Sequence, residues 1–364
     1  MLNALLENGK MKTNNIFINV ASYNEEDLFD TIDTAFSKAI FPENVYVGAC
    51  LQYTDNQYPD FSSFPNVKII KVEGLVGAGL GVARGLSSTL YDNEQYYLQI
   101  DAHTVFKNGW DEVLIKNYNE LSKTVDKPII SSYVPYYYKD PESGEKITMA
   151  KNQDWEGYYT SWSLVSKSSP EAIGMQDKEN YYNFAYNIEA LDSPAAKIAT
   201  FENSNYEEQY FISGHFLFTS GSFVEDVKYD PLLAYHEENA IAMIAWTRGY
   251  RIFNMKDHVL WTRAMYAGED SKNSWKRKYT EKDENGECFR DKVIRGTLRN
   301  KDILTGKVIG EYGSPSLELL KEYELAAKVD YEKFYKEMYD VVEKTGDRYF
   351  AAKQLYDLDK KING

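Results

Sequence analysis

The chain has 364 residues, of which 43% are hydrophobic and 27% are charged, and its formal net charge at pH 7 is −15. This length and composition are those of a globular protein with one large domain or two ordinary ones. The negative charge argues against a general affinity for nucleic acids or anionic membranes, because binding to phosphates requires clustered Lys and Arg.

Strands alternate with helices over about the first 135 residues. Short apolar runs predict five strands, at 16–20, 45–51, 67–72, 96–100 and 128–133. Apolar residues at helical spacing, or a glycine-rich start, predict helices at 27–39, 77–91 and 110–122. Such alternation predicts an α/β fold with a parallel, doubly wound sheet.

The regular pattern stops near residue 136. Residues 136–208 contain Tyr clusters and Ser-rich turns but no long periodic element, which predicts an irregular insertion able to carry acceptor specificity. Regularity then returns as a strand, a helix and two short strands, at 210–219, 236–248, 250–255 and 258–262. The main domain is therefore predicted to span residues 1–265.

Two segments follow this domain. Residues 266–310 are locally basic and are predicted to form a loop or lid, either facing a phosphate or simply solvated. Residues 311–364 carry apolar positions at helical spacing and are predicted to form an appended C-terminal helical region.

The fourth predicted strand ends in an acid, a small residue and a histidine, Asp101-Ala102-His103. Ligands of open α/β sheets bind at the carboxyl ends of the strands, and residues i and i+2 at a strand end point the same way. The carboxylate and the imidazole should therefore converge. This donor pair suits Mn²⁺, or Mg²⁺, that holds a phosphate-bearing substrate. The alternative is a capping Asp101 and a surface His103.

The turn after the first strand, Ser22-Tyr23-Asn24-Glu25, lies at the same predicted edge of the sheet. Its polar side chains could bind a nucleotide base or ribose. Capping of the next helix by Asn24 or Asp27 is the alternative.

The glycine-rich start of the second helix, Gly77-Ala78-Gly79-Leu80-Gly81, does not have the spacing of a dinucleotide fingerprint or of a P-loop. Arg84 follows one turn later. It could pair with Asp101 or with a phosphate of a donor, and a surface position is the alternative.

The later helix opens with His236-Glu237-Glu238, where acids complement the helix dipole and could also reach a sugar or an acceptor hydroxyl. The pattern lacks the second histidine of a zinc protease, and the chain has no Gly-x-Ser-x-Gly of an α/β-hydrolase.

No apolar run approaches the roughly 20 residues of a membrane-spanning helix, and Met1–Lys12 lacks the apolar core of a signal peptide. We therefore expect no membrane partner and a cytoplasmic location. Cys50 and Cys288 are the only cysteines, which rules out a disulfide framework.

Several short motifs, taken in their order and spacing over residues 15–265, resemble glycosyltransferase family 60. These motifs are Ser22-Tyr23-Asn24-Glu25, Val47-Gly48-Ala49-Cys50-Leu51-Gln52, Gly81-Val82-Ala83-Arg84, Leu98-Gln99-Ile100-Asp101-Ala102-His103, Tyr229-Asp230-Pro231, Glu237-Glu238 and Trp246-Thr247-Arg248-Gly249-Tyr250. Family members are cytoplasmic polypeptide α-N-acetylglucosaminyltransferases that act on hydroxyproline.

The resemblance implies a GT-A (Rossmann-like) fold, a UDP-sugar donor, a divalent metal and retention of anomeric configuration. It matches Asp101 and His103 to the family's Asp-x-His metal pair, and Ser22 and Tyr23 to the nucleotide-contacting turn. Arg84 matches the arginine near the donor diphosphate, and Glu237 and Glu238 match an acidic pair at the substrate end. The donor-binding set so predicted is Ser22, Tyr23, Asn24, Glu25, Arg84, Gln99 and Asp101.

The chain departs from the family pattern at the third metal ligand. The family's histidine after the Gly-Tyr turn falls in register on Thr262, and the nearest histidine, His258, comes four residues earlier. Either the strand shifts so that His258 is the third ligand, or water or another side chain takes its place.

The sequence and this resemblance together predict a metal-dependent, retaining glycosyltransferase (hexosyltransferase) that moves a hexose or N-acetylhexosamine, GlcNAc or Glc, from a UDP-sugar to a hydroxyl. Arg84, Glu237 and Glu238 are its predicted catalytic residues. The acceptor could be a protein, a glycan or a hydroxylated DNA base. The alternatives are a non-catalytic nucleotide- or sugar-binding module on the same fold, and a nucleotidyltransferase, which would be expected to carry a Gly-rich loop after the first strand.

Overall fold

The structure is a computed structural model of the full chain. It describes residues 12–53, 58–73, 79–132, 134, 136–139, 146–148, 206, 208–209, 212–234 and 237–263, together with positions 282, 286, 292, 296 and 299. The predicted C-terminal helical region lies outside these residues, as do His236 and most of the predicted insertion and basic segment.

The described part contains twelve strands, five α-helices and one 3₁₀ turn at Pro42–Asn44. The strands are β1 (Lys12–Tyr23), β2 (Val45–Tyr53), β3 (Val67–Glu73), β4 (Glu94–Asp101), β5 (Thr104–Phe106), β6 (Lys127–Ser131), β7 (Tyr136–Lys139), β8 (Lys146–Thr148), β9 (Glu208–Gln209), β10 (Phe216–Ser220), β11 (Tyr250–Phe253) and β12 (Leu260–Arg263). The helices are α1 (Leu28–Ser37), α2 (Leu80–Ser88), α3 (Trp110–Leu121), α4 (Phe223–Asp226) and α5 (Glu238–Thr247).

Eight strands form the central sheet, in the order β3-β2-β1-β4-β10-β6-β11-β9. Strands β3, β2, β1 and β4 are parallel, as are β6 and β11, which confirms the predicted α/β class. β10, which follows the part of the chain predicted to form the parallel sheet, is antiparallel to both β4 and β6. A smaller sheet, β5-β12-β7-β8, lies beside the end of β4 and includes two strands within the predicted irregular insertion.

Helices cover both faces of the central sheet, because its buried strands alternate their side chains between two apolar layers. On β1, Ile16, Ile18 and Val20 pack with α1 and α3, while Phe17 packs in the opposite layer with α5. Helix α5 is apolar all round and is buried from Ala240 to Trp246, as a core helix should be.

The start of helix α2 is joined to the loop that precedes α5. The backbone N–H groups of Leu80 and Gly81 donate to the carbonyls of Ala234 and Leu233, each at 2.8 Å. A Cβ on Gly81 would collide with the carbonyl of Asp230, so only glycine permits this approach. The free N–H groups at a helix start are thus satisfied by another segment.

One residue of the predicted basic segment is described in contact with the same loop. The Arg299 Nε atom lies 2.5 Å from Oδ2 of Asp230, whose side chain is buried. This arginine therefore binds a carboxylate of the domain. Among the described residues, no helix is long and apolar enough to cross a membrane.

Candidate active site

The carboxyl ends of β1 and β4 bring the predicted metal pair and the predicted nucleotide turn together. Ala21 pairs with Asp101 across these parallel strands, so the turn after β1 and the turn after β4 leave the sheet side by side. The Asp101, His103 and Glu25 side chains are partly exposed there, at 32%, 17% and 16%. We call Glu25, Asp101 and His103 the rim cluster.

The two nitrogens of His103 face different carboxylates of the rim cluster. Nδ1 lies 3.0 Å from Oε2 of Glu25, and Nε2 lies 3.5 Å from Oδ2 of Asp101. Burial opposes a charge on this imidazole, but the two carboxylates prevail and raise the pKa of His103 to about 10. Burial likewise opposes ionisation of Asp101, but His103, His215 and Arg84 hold its pKa well below its usual range.

Arg84 lies behind Asp101 and is 1% exposed. Its Nη1 donates to the backbone carbonyls of Asn19 and Ile100, each at 2.7 Å, and its Nη2 lies 3.4 Å from Oδ1 of Asp101 and 3.3 Å from the carbonyl of Gly214. Of the two partners that the sequence suggested for Arg84, the structure shows Asp101. It excludes the alternative, a surface position for Arg84. Arg84 therefore ties β1, β4 and the Asp101 carboxylate together.

Gly214 is the point where β4 meets the start of α5. Its carbonyl accepts a hydrogen bond from Gln99 Nε2 at 2.7 Å, and a Cβ added to Gly214 would lie 2.8 Å from Oε1 of Glu238. Gln99 is buried, and its Oε1 also accepts from the hydroxyl of Tyr229. The predicted donor-binding Gln99 is thus engaged within the protein and supports Gly214.

Glu237 and Glu238 stand at the start of α5, as predicted, with Glu237 in the N-cap position. Glu237 is 2% exposed, and its Oε2 has no hydrogen-bond partner among the described residues. Burial and the neighbouring Glu238 outweigh the attraction of Arg84 and raise the pKa of Glu237 to about 8. This carboxyl group can therefore be neutral, and a hydrogen-bond donor, near neutral pH.

The predicted turn Ser22–Glu25 begins inside β1, because the strand continues to Tyr23 and pairs there with Gln52 of β2, so that only Asn24 and Glu25 leave the strand. Asn24 has a left-handed φ of 46°, and its N–H donates to the carbonyl of Gln52 at 3.0 Å. The Tyr53 hydroxyl donates to the carbonyl of Glu25 at 2.8 Å. Ser22 is buried, and its hydroxyl has no partner within the described part of the chain.

The structure does not bring His258 to the rim cluster. β12 pairs with β5 so that Thr262 lies opposite Thr104, and the N–H of Arg263 donates to the carbonyl of His103. His258 lies four residues before Thr262, and its Nε2 is 2.7 Å from the carbonyl of Leu260. Its ring lines a separate cavity of about 220 Å³ with Lys107, Asn108, Val113, Lys116, Asp257 and Val259. The strand shift that would make His258 a ligand is therefore not found.

His215 is near Asp101, because β10 continues antiparallel to β4 with Phe216 opposite Ile100. Its Nε2 accepts from the N–H of Val134 at 3.1 Å, and its Nδ1 lies 3.0 Å from the Ser213 hydroxyl. Both ring nitrogens are thus already engaged. Across the described ranges, no group of three or more His, Cys, Asp or Glu side chains is arranged to hold a metal ion.

Two residues of the site were not found from the sequence. Arg263 Nη1 lies 3.0 Å from Oδ2 of Asp27, whose side chain is 1% exposed, and 4.0 Å from Oε1 of Glu25. Asp27 occupies the N-cap position of α1 but makes no side-chain capping bond, so the capping alternative is wrong for this residue. The available signal in the sequence was the acid Asp27 close to the turn after β1, but its partner Arg263 is 236 positions away.

A family model described as "Glycosyltransferase (GlcNAc)" matches residues 15–74 and 60–308. A comparison with curated proteins found no match. Among solved structures, GalNAc-T7 with UDP, GalNAc and Mn²⁺ is similar with a TM-score of 0.50 and 14% identity, over 91% of this chain and 58% of that chain. S. aureus TarS 1-349 in complex with UDP-GlcNAc has a TM-score of 0.40 and 12% identity, over 69% of this chain and 59% of that chain.

The chain thus spans about 60% of the length of these solved glycosyltransferase chains. The GalNAc-T7 similarity concerns the fold, and it confirms the predicted GT-A class with its largely parallel central sheet. The family model covers well over half of the sequence. The chain therefore belongs to the GlcNAc glycosyltransferase family.

Proposed function

We propose that the protein is a divalent-metal-dependent, retaining glycosyltransferase of the family-60 type. It would move a hexose or N-acetylhexosamine, GlcNAc or Glc, from a UDP-sugar to a hydroxyl group. The observation that carries this proposal is the convergence of Asp101 and His103 at the carboxyl ends of β1 and β4, beside the turn Ser22–Glu25. Similarity to GalNAc-T7, whose structure holds UDP, GalNAc and Mn²⁺, supports the choice of donor.

The rim cluster fits a divalent ion as a site that the substrate completes. Asp101 Oδ2 and His103 Nε2 are 3.5 Å apart, close to the roughly 3 Å between adjacent ligands of an octahedral ion with bonds of about 2.1 Å. Two protein ligands are sufficient where substrate phosphates and water supply the others. Bound there, Mn²⁺ or Mg²⁺ would offset the charge of the leaving diphosphate.

The protein's own groups would prepare this reaction. Arg84 fixes one oxygen of Asp101 through Nη2 and leaves the other facing His103. Ser22, Tyr23 and Asn24 would contact the nucleotide, because their turn borders the same edge of the sheet. The neutral carboxyl of Glu237 would donate a hydrogen bond to donor or acceptor, and Glu238 would orient the sugar. We assign no protein nucleophile, and same-face attack would pass the acceptor proton to the leaving phosphate.

The proposed acceptor is a hydroxyl of a protein or a glycan, with a hydroxylated DNA base as a further candidate. Acceptor binding that weakens steeply with salt would favour DNA, because release of counterions accompanies phosphate contacts. We propose a cytoplasmic location and no membrane partner, in keeping with the resemblance to family 60.

Asp101→Asn tests the proposal. The amide keeps an oxygen for Arg84 but loses the charge that a metal needs, so we expect UDP-sugar hydrolysis and transfer, measured well below the melting temperature of the variant, to fall by roughly 100-fold or more. Asp33→Asn, on the exposed side of α1, is the matched control. Full activity of the Asp101→Asn protein would discard the assignment.

A non-catalytic binding module is the second candidate, favoured by the lack of a three-ligand group in the described residues. It predicts that calorimetry detects UDP and Mn²⁺ binding while no hydrolysis or transfer occurs. Loss of turnover in EDTA and its recovery with Mn²⁺ would instead support the metal-dependent transferase.

A further inference from the structure

The imidazole of His103 is held from both sides, but its two contacts differ. Nδ1 is 3.0 Å from Oε2 of Glu25, which is an ordinary hydrogen-bond distance, whereas Nε2 is 3.5 Å from Oδ2 of Asp101. The better contact is therefore the one to Glu25. The nitrogen on the Asp101 side is the one that a cation at the rim cluster would meet.

Glu25 is itself fixed in place by several neighbours. Its backbone carbonyl accepts from the Tyr53 hydroxyl at 2.8 Å, and its Oε1 lies 3.4 Å from the N–H of Asp27. Arg263 Nη1 is 4.0 Å from the same Oε1 and 3.0 Å from Asp27 Oδ2. One carboxylate oxygen thus faces Asp27 and Arg263, and the other is directed at His103.

We propose that Glu25 is a positioning residue of the cation site: its carboxylate accepts the Nδ1–H of His103 and directs Nε2 toward Asp101, where a bound cation would take the place of the Nε2 proton. The proposal rests on the metal dependence proposed above. Metal-ligating histidines usually donate their other ring N–H to a carboxylate or carbonyl, which fixes the tautomer and raises the basicity of the ligand. Glu25 supplies that carboxylate, and its other oxygen lies 4.0 Å from Arg263 Nη1.

This role differs from the nucleotide contact assigned to Glu25 from the sequence. It also differs from direct ligation, since Glu25 would have to leave His103 to bind the ion. A positioning role predicts an effect on metal binding without any nucleotide. A nucleotide contact predicts an effect on UDP binding only.

The first experiment measures Mn²⁺ affinity from the electron paramagnetic resonance signal of free Mn²⁺, without UDP. We expect Glu25→Ala to weaken Mn²⁺ binding by about 10- to 100-fold, and Glu25→Gln, which keeps an acceptor but loses the charge, to weaken it less. Glu26→Ala, at the exposed next position, is the matched control and should bind as wild type does.

The second experiment identifies the nitrogen that binds the ion. The chain has four histidines, so ¹⁵N-imidazole labelling gives few signals, and His103→Gln assigns one of them. With Cd²⁺ in place of Mn²⁺, we expect the Nε2 signal of His103 to shift while Nδ1 keeps its proton. In the Glu25→Ala protein, we expect Cd²⁺ no longer to shift the Nε2 signal alone while Nδ1 keeps its proton. A general loss of structure would not act on one ring nitrogen only. A thermal melting curve of the variant detects such a loss of structure directly.

Two outcomes would overturn the proposal, and they are distinguishable. If wild type and Glu25→Ala bind Mn²⁺ equally well with the same Nε2 pattern, positioning is refuted while metal dependence stands. If wild type transfers sugar in EDTA and binds no Mn²⁺, the metal dependence fails and the role of Glu25 fails with it. Should Glu25→Ala not fold, Glu25→Gln carries the same comparison.

Discussion

The guanidinium of Arg84 is buried beside a partly exposed carboxylate, with Nη2 3.4 Å from Oδ1 of Asp101. The arginine belongs to helix α2 and the acid to the end of strand β4, so this contact joins a helix on one face of the sheet to the carboxyl-end edge of the sheet. Its other hydrogen bonds go to backbone carbonyls of β1 and β4. Arg84 therefore has a structural role in addition to any catalytic one.

Arg84→Met should destabilise the protein. The change leaves the buried carbonyl of Asn19 without the Arg84 N–H and removes the buried partner of Asp101, which we expect to lower the free energy of unfolding by about 3 kcal/mol. Urea denaturation measures this. Arg251→Met, at a half-exposed arginine, should cost less than about 1 kcal/mol. Equal effects of the two changes would contradict the structural role.

Glu237→Gln should change how stability depends on pH. Because the folded-state pKa of Glu237 is raised from 4.5 to about 8, the unfolded chain ionises first, and this group destabilises the fold progressively as pH rises from about 4.5 to about 8. Glutamine does not ionise. The variant should therefore gain stability relative to wild type by up to about 1 kcal/mol per pH unit in this window.

Urea unfolding of both proteins at several pH values between 5 and 8 checks this prediction. Glu225→Gln, at an exposed acid within α4, is the control for the loss of one carboxylate. A difference between wild type and Glu237→Gln that stays constant with pH would refute it.

Gly214→Ala should disturb the acidic pair rather than the fold. The new Cβ would lie 2.8 Å from Oε1 of Glu238, the far end of a flexible side chain, so that side chain must move. We expect kcat for sugar transfer to fall about tenfold, with little change in melting temperature. Gly85→Ala, where the nearest atom lies 3.8 Å away in Tyr229, should be neutral or stabilising by about 0.5 kcal/mol.

The Asp27–Arg263 ion pair should show strong coupling in a double-mutant cycle. Arg263→Met leaves the buried Asp27 carboxylate without this cation and should cost about 3 kcal/mol. Adding Asp27→Asn should restore part of that loss, since the amide carries no charge to bury. Chemical denaturation of the four proteins gives the coupling energy, and strictly additive effects would show that the pair is unimportant.

Local pattern predicted most of the α/β core. β1, β2, β3, β4 and β6 were recognisable as apolar runs and α1 by its apolar spacing, because burial leaves a periodic trace in the sequence, while α2 was recognisable by its glycine-rich start. The antiparallel entry of β10 was not predictable in this way. Its apolar run is equally suited to either direction, and the direction of β10 is set only by its pairing with Ile100 and Ser131.

The site was predictable only where its parts are close in sequence. Asp101 and His103 are two residues apart on one turn, so their convergence follows from strand geometry. The Asp27–Arg263 contact joins residues 236 positions apart, and no local pattern reveals it. The position of His258 depended on the register of β12 against β5, which is set by tertiary pairing.

The backbone bonds from Leu80 and Gly81 to the loop before α5 have a mechanical consequence. Helix α2, which carries Arg84, is bonded at its first turn to Leu233 and Ala234, in the segment that precedes Glu237 and helix α5. A displacement of that segment would break these bonds or move the start of α2 with it. If an incoming sugar moves the acidic pair together with the segment before it, the start of the helix that carries Arg84 should move as well.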